Sequence, residues 1–510
     1  MRRDASALAI GEPPGAAGAG GPMRIVAFLP AALLAAGCAS VDPYTQAPIS
    51  EHLRRGDDLG DCARLLRQVD ERIDAAGARD AGRPRVPGFP YLRVDRFTAS
   101  LGEAAGELRG AGFAAWSELM AHADRQARAA ELANTGQAEQ AAAVDACRYA
   151  LAVADGREFA RLRAAAQVPD DYSTTLRALG LYPLTRLAFA AGIADWQQRT
   201  LEVFAVPLGQ LPRQGTLQRY APATSPPELA PPPRSAAFAL PAPSRPQLLD
   251  WALRHAPVLE VDTAGDDDRI GALRWTGGAM PEIAVDVGEP AAYVRTAYTH
   301  FAGRVRLQLV YTLWFPARPA EHALDLLAGR LDGLIWRVTL DQDGAPLVYD
   351  SIHPCGCYHQ FFPTAAVVAR PQPDTLDEGL FVPQAAPTLS PGERIVLRLA
   401  SRTHYLQRLS VQAQGGSAGA PYALLDERGL LTLPLPGGGT RSAYDAAGFV
   451  PGSERAERWL FWPMGIASAG QMRQWGRHAT AFVGRRHFDD AWLLDRYFEL
   501  RAHGAAADRR

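Results

Sequence analysis

Apolar residues recur at three- and four-residue spacing over roughly 58–205. Cys62, Leu66, Val69 and Ile73 form one stripe, and Trp116, Leu119, Met120 and Ala123 a second. Val144, Cys147 and Leu151 mark a third, within a segment running from Gln137 to about Ala165. This spacing places each set on one face of a helix. Tyr172–Phe204 is also apolar but is interrupted by Gly180 and Pro183, which predicts two helices there. After about Leu248 the period changes to two. Val305, Leu307, Leu309, Tyr311, Leu313 and Phe315 alternate with polar neighbours, as do Leu334, Trp336, Val338 and Leu340. Asp343-Gly344 then turns the chain into Leu347-Val348-Tyr349, a hairpin signal. Further strands are predicted at Glu282–Asp286, Tyr293–His300, Ile395–Leu399 and Tyr405–Val411. Helical patterning returns at Gln471–Val483 and Trp492–Leu500.

Between these regions, eleven prolines fall within Pro207–Pro246, a density that opposes both helix and central strand. The expected architecture is α+β: an all-α domain over 58–205, a proline-rich linker over 206–247, and a β-rich, sandwich- or barrel-like domain over 248–502 with terminal helices. The chain's 510 residues, 47% of them hydrophobic, suffice for two cores.

Charge narrows the function. Lys+Arg 53 against Asp+Glu 55 gives a net charge of −2, with no basic excess to bind nucleic acid. All the basic residues are Arg, so neither a Schiff-base lysine nor a P-loop lysine is available.

Met23-Arg24 is followed by an apolar run, Ile25–Ala36, and then Gly37-Cys38. A charged start, a short apolar segment and small residues before a cut describe a secretory signal. Leu34-Ala35-Ala36-Gly37-Cys38 resembles the lipobox of bacterial lipoproteins, although Ala35 stands where Leu is commoner. The resemblance implies a signal peptide over 23–38, acylation of Cys38, and a tether over 39–57. Residues 1–22 then read as lying upstream of the natural start. With Ala39 after the cysteine, the pattern implies a protein lipid-anchored at the periplasmic face of the outer membrane, with the membrane and another envelope protein as the expected partners.

Four further cysteines remain: Cys62, Cys147, Cys355 and Cys357. Cys62 and Cys147 lie on the apolar stripes of two helices in one domain, and they are expected to form a disulfide. Cys355 and Cys357 belong to the densest chemistry in the chain, His353-Pro354-Cys355-Gly356-Cys357-Tyr358-His359. An extended strand would place its four donors on one face but string His353 and His359 about 20 Å apart. A single ion cannot span that distance, so chelation requires a bend. His353-Pro354-Cys355-Gly356 suits a type I turn. Thiolate and imidazole donors favour Zn or Cu, with His300 and His404, at predicted strand ends, as possible additional ligands. A strained Cys355–Cys357 disulfide and reduced structural thiols are the other readings.

Asp266-Asp267-Asp268 reads as a solvated loop. Gly415-Gly416-Ser417-Ala418-Gly419 reads as a flexible loop rather than a nucleophile elbow. Function therefore divides between an envelope lipoprotein that binds a transition metal, with or without enzymatic activity, and a non-catalytic scaffold or partner-binding module stapled by disulfides.

Overall fold

A computed structural model of the chain describes residues 42–107, 109–223, 231, 233–413 and 419–501. Cys38 with its signal-like segment, and most of the 415–419 loop, lie outside the described residues.

Three helices frame the N-terminal region: α1 (Asp58–Ala75), α2 (Arg109–Asn134) and α3 (Ala141–Ala154). Helix α1 starts where the Asp57 side chain accepts the Gly60 N–H, satisfying a donor that the first turn leaves free. The predicted stripes meet inside: Leu66, Val69, Ile73, Trp116, Met120, Val144 and Leu151 share one buried cluster. Cys62 and Cys147 are joined by a disulfide that ties α1 to α3. The aromatic stretch after Gly88 forms the buried strand Phe89–Arg93. Tyr172–Phe204 divides into Thr174–Leu179 and α4 (Tyr182–Ala205), with Pro183 in the first turn of α4, where its missing N–H costs nothing.

Ile283–Asp286 pairs with Ala272–Trp275 in a separate hairpin, and the other expected strands fall among the ten of one curled sheet. These are β1 (Thr216–Pro222), β2 (Val258–Thr263), β3 (Ala291–Phe301), β4 (Arg304–Arg318) and β5 (Gly329–Leu340). They continue with β6 (Pro346–Ile352), β7 (Gln360–Pro363), β8 (Arg394–Leu399), β9 (Leu406–Gln412) and β10 (Ala420–Asp426). The spatial order is β7-β6-β5-β4-β3-β10-β1-β2-β8-β9. Pairing is antiparallel except where β10 lies parallel to β3 and β1, and β8 to β2.

Strand β1 comes from the proline-rich span and sits in the interior of the sheet, so part of that span is core structure rather than connector. The helical and β regions also share a core. Val305 and Ala491 join the helical cluster, and the chain from Val41 onward forms one compact unit.

The alternation in β4 and β5 places Leu307, Leu309, Tyr311, Leu313, Phe315, Leu334, Trp336, Val338 and Leu340 in one apolar cluster. The opposite face is buried as well, against Trp475 and Phe488. The polar residues of that second face must therefore pair within the protein, as Gln308 Nε2 does with Thr339 Oγ1 at 3.0 Å. Gln471–Val483 is irregular rather than helical; Gly476, inside it, has φ +88°, a conformation outside the right-handed helix. Trp492–Leu500 holds only a short helix, Leu493–Tyr497, before the strand Phe498–Leu500.

Candidate functional site

The segment 353–359 is the connection between β6 and β7. Gly356 N–H donates to His353 O at 2.8 Å and His353 N–H to Cys357 O at 3.0 Å, so the predicted turn closes. Gly356 is required here: it has φ +94°, and a Cβ would collide with the Ala479 carbonyl.

The turn separates the two histidines. Asp350 pairs with Phe361 and Ser351 with Gln360, and directly opposed residues share a face. His359 therefore falls on the face of Asp350, whereas His353 follows Ser351 to the other. His359 Nε2 lies 2.8 Å from Asp350 Oδ2. The same carboxylate takes Arg337 Nε at 2.9 Å and Nη2 at 2.5 Å, with that guanidinium 3.8 Å above the Phe488 ring. Burial pushes His359 down to about 3, so it is neutral at ordinary pH.

On the opposite face, His353 Nδ1 lies 3.3 Å from Asp332 Oδ1, and His404 Nδ1 lies 2.9 Å from Asp332 Oδ2. His404 Nε2 in turn lies 3.3 Å from Asp268 Oδ1. The result is a buried chain, Asp268–His404–Asp332–His353, each member at most 4% exposed. Phe315 stacks on His404 at 3.9 Å. Burial opposes charge at every member, but the outcomes differ. The two carboxylates hold His404 above its ordinary value, whereas for His353 burial outweighs the pull of Asp332 and lowers it. Burial works against the Asp332 charge too, yet His353 and His404 hold that carboxyl well below the usual range. A neutral His353 donating Nδ1–H to Asp332 leaves Nε2 as a base, and the Asp332 contact is the one side-chain hydrogen bond of His353 among the described residues. Half-buried Tyr358 and Tyr405 pack against the His353 ring at 5.1 and 5.6 Å, and Arg318 Nη1 donates to Tyr405 Oη at 3.3 Å.

The backbone around this chain is strained. Leu331, Tyr358, Arg402 and His404 all have φ between 51° and 64°, left-handed conformations that cost non-glycine residues about 1–2 kcal/mol each. Each is a member of the site or a direct chain neighbour of one, except Arg402, whose N–H donates to Asp268 Oδ1 at 2.5 Å.

The thiols take a third direction. Cys355 and Cys357 are both free and line a cavity of about 20 Å³, space for roughly one water, with Gly356, Tyr358, Gly470 and Thr480 in its wall. With the Cys355 sulfur as acceptor for its S–H, and with burial, Cys357 keeps its proton well above the usual thiol range. Among the described residues, no three His, Cys, Asp or Glu side chains gather as a ready chelate. Of the extra candidate ligands, His404 joins His353 through Asp332. His300 does not reach the turn; it bonds Ser100 Oγ at 2.8 Å and stacks on Trp492 at 3.9 Å.

Sequence reasoning missed Asp268, Asp332 and Asp350. Asp332 had a signal, since it occupies an inward position of the Leu334-Trp336-Val338 alternation. Asp268 lay hidden in an acidic run whose other members are indeed exposed or half-buried. Comparison of the chain with family models, curated proteins and solved structures gave no match.

Proposed function

We propose that this is a lipid-anchored envelope protein whose working centre is His353, acting as a general acid–base on a small ligand held against Tyr358, Tyr405 and Arg318. The observation that carries this reading is the Asp332–His353 geometry. A carboxylate orients one ring nitrogen, and the other, which has no protein partner among the described residues, lies beside half-buried tyrosines. The carboxylate chain behind it and the left-handed residues around it support the same reading, because buried perturbed groups and backbone strain concentrate at functional sites. Arg318 supplies a permanent positive charge for an anionic or hydroxyl-bearing ligand. The envelope part rests on the lipobox-like segment and on the Cys62–Cys147 disulfide, which suits an oxidising compartment.

A nitrobenzisoxazole, opened by a single proton abstraction, reports such a base without knowledge of the natural substrate. The purified protein is expected to open it faster than buffer, and His353→Ala to lose roughly 10²–10⁴ of that acceleration. Asp332→Asn should lower the rate and displace its pH profile, while His359→Ala leaves both unchanged. Equal rates in the native protein and His353→Ala would refute the acid–base role. For the anchor, Cys38→Ser is expected to move the protein from the membrane to the soluble fraction. Unchanged retention would remove the lipoprotein reading.

A further inference from the structure

The thiols are independent of the His353 centre, and they face a space of another kind. The cavity beside Cys355 and Cys357 is ion-sized, too small for an organic substrate. Both histidines of the segment are turned away from it to separate carboxylates. Arg473, 3% exposed, is held beside the turn by its N–H bond to Pro354 O at 2.9 Å. Its guanidinium donates to the Ala467 and Ser468 carbonyls, while Nε has no hydrogen-bond partner among the described residues. Asp171 is the first of the acidic groups that act on its charge, followed by the two sulfurs once they ionise. A buried cation with a free donor beside a thiol pair is set to balance negative charge that develops on sulfur.

We propose that Cys355 and Cys357 form a binding site for one soft monovalent cation of the cuprous type, held between the two sulfurs, with Arg473 balancing the charge of the complex. Donor number favours this over zinc. A structural Zn²⁺ site takes four ligands and a catalytic one three plus water, whereas no third side chain completes a chelating group here among the described residues; Glu378, also in the cavity wall, accepts the Phe482 and Val483 N–H groups. Cuprous ion is content with two thiolates in a line, and soft sulfur donors select it. Binding is a proton exchange without redox: the ion enters, two S–H bonds break, two S–metal bonds form, and two protons leave to solvent. The product bears one net negative charge, which the Arg473 guanidinium neutralises.

The test is anaerobic titration of the full-length protein with cuprous ion against a chromogenic cuprous chelator, with zinc titrated in parallel. One equivalent is expected per chain, with the Cys355 and Cys357 thiols becoming unreactive to a disulfide reagent as the ion is added. Cys355→Ser and Cys357→Ser should each weaken binding at least tenfold. His353→Ala and His359→Ala should leave it unchanged. Should a serine variant misfold, thiol protection in the native chain still decides. Continued full reactivity of Cys355 and Cys357 with copper present would overturn the proposal. So would loss of binding in the histidine variants, which would restore the four-ligand segment, or zinc binding tighter than copper at the same thiols.

Discussion

Two of the buried polar centres among the described residues are built from different chemistry. In the helical region Asp124, fully buried, receives Arg93 Nε at 3.0 Å, Arg128 Nη2 at 3.1 Å and Arg148 Nη2 at 2.8 Å. Arg93 also reaches Glu131 at 2.6 Å, and Arg128 pairs with Asp70. Guanidinium meets carboxylate throughout. Around the β6–β7 turn imidazoles and thiols stand among the carboxylates, and the two carboxylates at His404 raise that imidazole above its ordinary value, toward physiological pH. The first centre therefore behaves as a lock between helices, whereas the second retains freedom to change state. Their cysteines follow the same division, with Cys62 and Cys147 joined and Cys355 and Cys357 free.

The comparison is broken most severely by Asp124→Ala. It removes the one carboxylate that three buried guanidiniums share, leaving each with a single acidic partner, and removing one partner of a buried pair costs about 3–5 kcal/mol. Chemical denaturation should show at least that loss; under about 1 kcal/mol, the lock account would be wrong. Opening the disulfide by replacing Cys62 and Cys147 with Ala comes next. Their separation of 85 residues makes the loss roughly 4 kcal/mol on chain entropy alone. Thiol titration of the denatured native chain would expose a different pairing.

Gly356→Ala tests the turn itself. Its positive φ and the Ala479 carbonyl predict a cost of about 1–3 kcal/mol. The damage should appear as a displaced His353 signal in NMR while the helical region keeps its exchange protection.

The smallest effect, and the sharpest, is in pH dependence. The folded value of His404 is raised by the two carboxylates that hold it, so its contribution is fully present below the unfolded value near 6.5 and fades as pH rises through the folded one. His359 and His478 have the opposite sign. Burial lowers both to about 3, so the unfolded chain takes up their protons first and stability falls as pH drops from about 6.5 toward 3. Denaturation across pH should show both arms. His404→Gln should remove the alkaline one and leave the acid one. A native chain with no alkaline arm would show that His404 is not held as a cation.

Much of this was legible in one dimension. Leu66, Trp116, Leu151, Leu309 and Trp336 are core because each helix or strand shows one face, and their spacing alone identifies that face. The Cys62–Cys147 pair followed from two stripes that had to meet. The type I turn at His353–Gly356 was readable from Pro354 and Gly356, whose backbone preferences are local. The long helix expected over Gln471–Val483 failed because its apolar spacing was satisfied by packing against the sheet, while Gly470 and Gly476 took left-handed conformations.

What sequence alone determined about this protein is therefore the part set by near neighbours: α+β character, the helix faces, the strand alternation, the turn, and a short segment dense in His and Cys. Only the tertiary structure decided what those donors do. One turn inverted the face of His359 relative to His353, so donors at even spacing went to two sides of a sheet. The carboxylates that hold them, Asp332 and Asp350, and Asp268 beyond, come from other strands and turns of the chain. Strand β1 entered the sheet from a proline-rich span because its neighbours β10 and β2 supplied the hydrogen bonds that its own composition argued against. Such outcomes depend on register and on which residue of a distant strand lies opposite, quantities that no local preference carries.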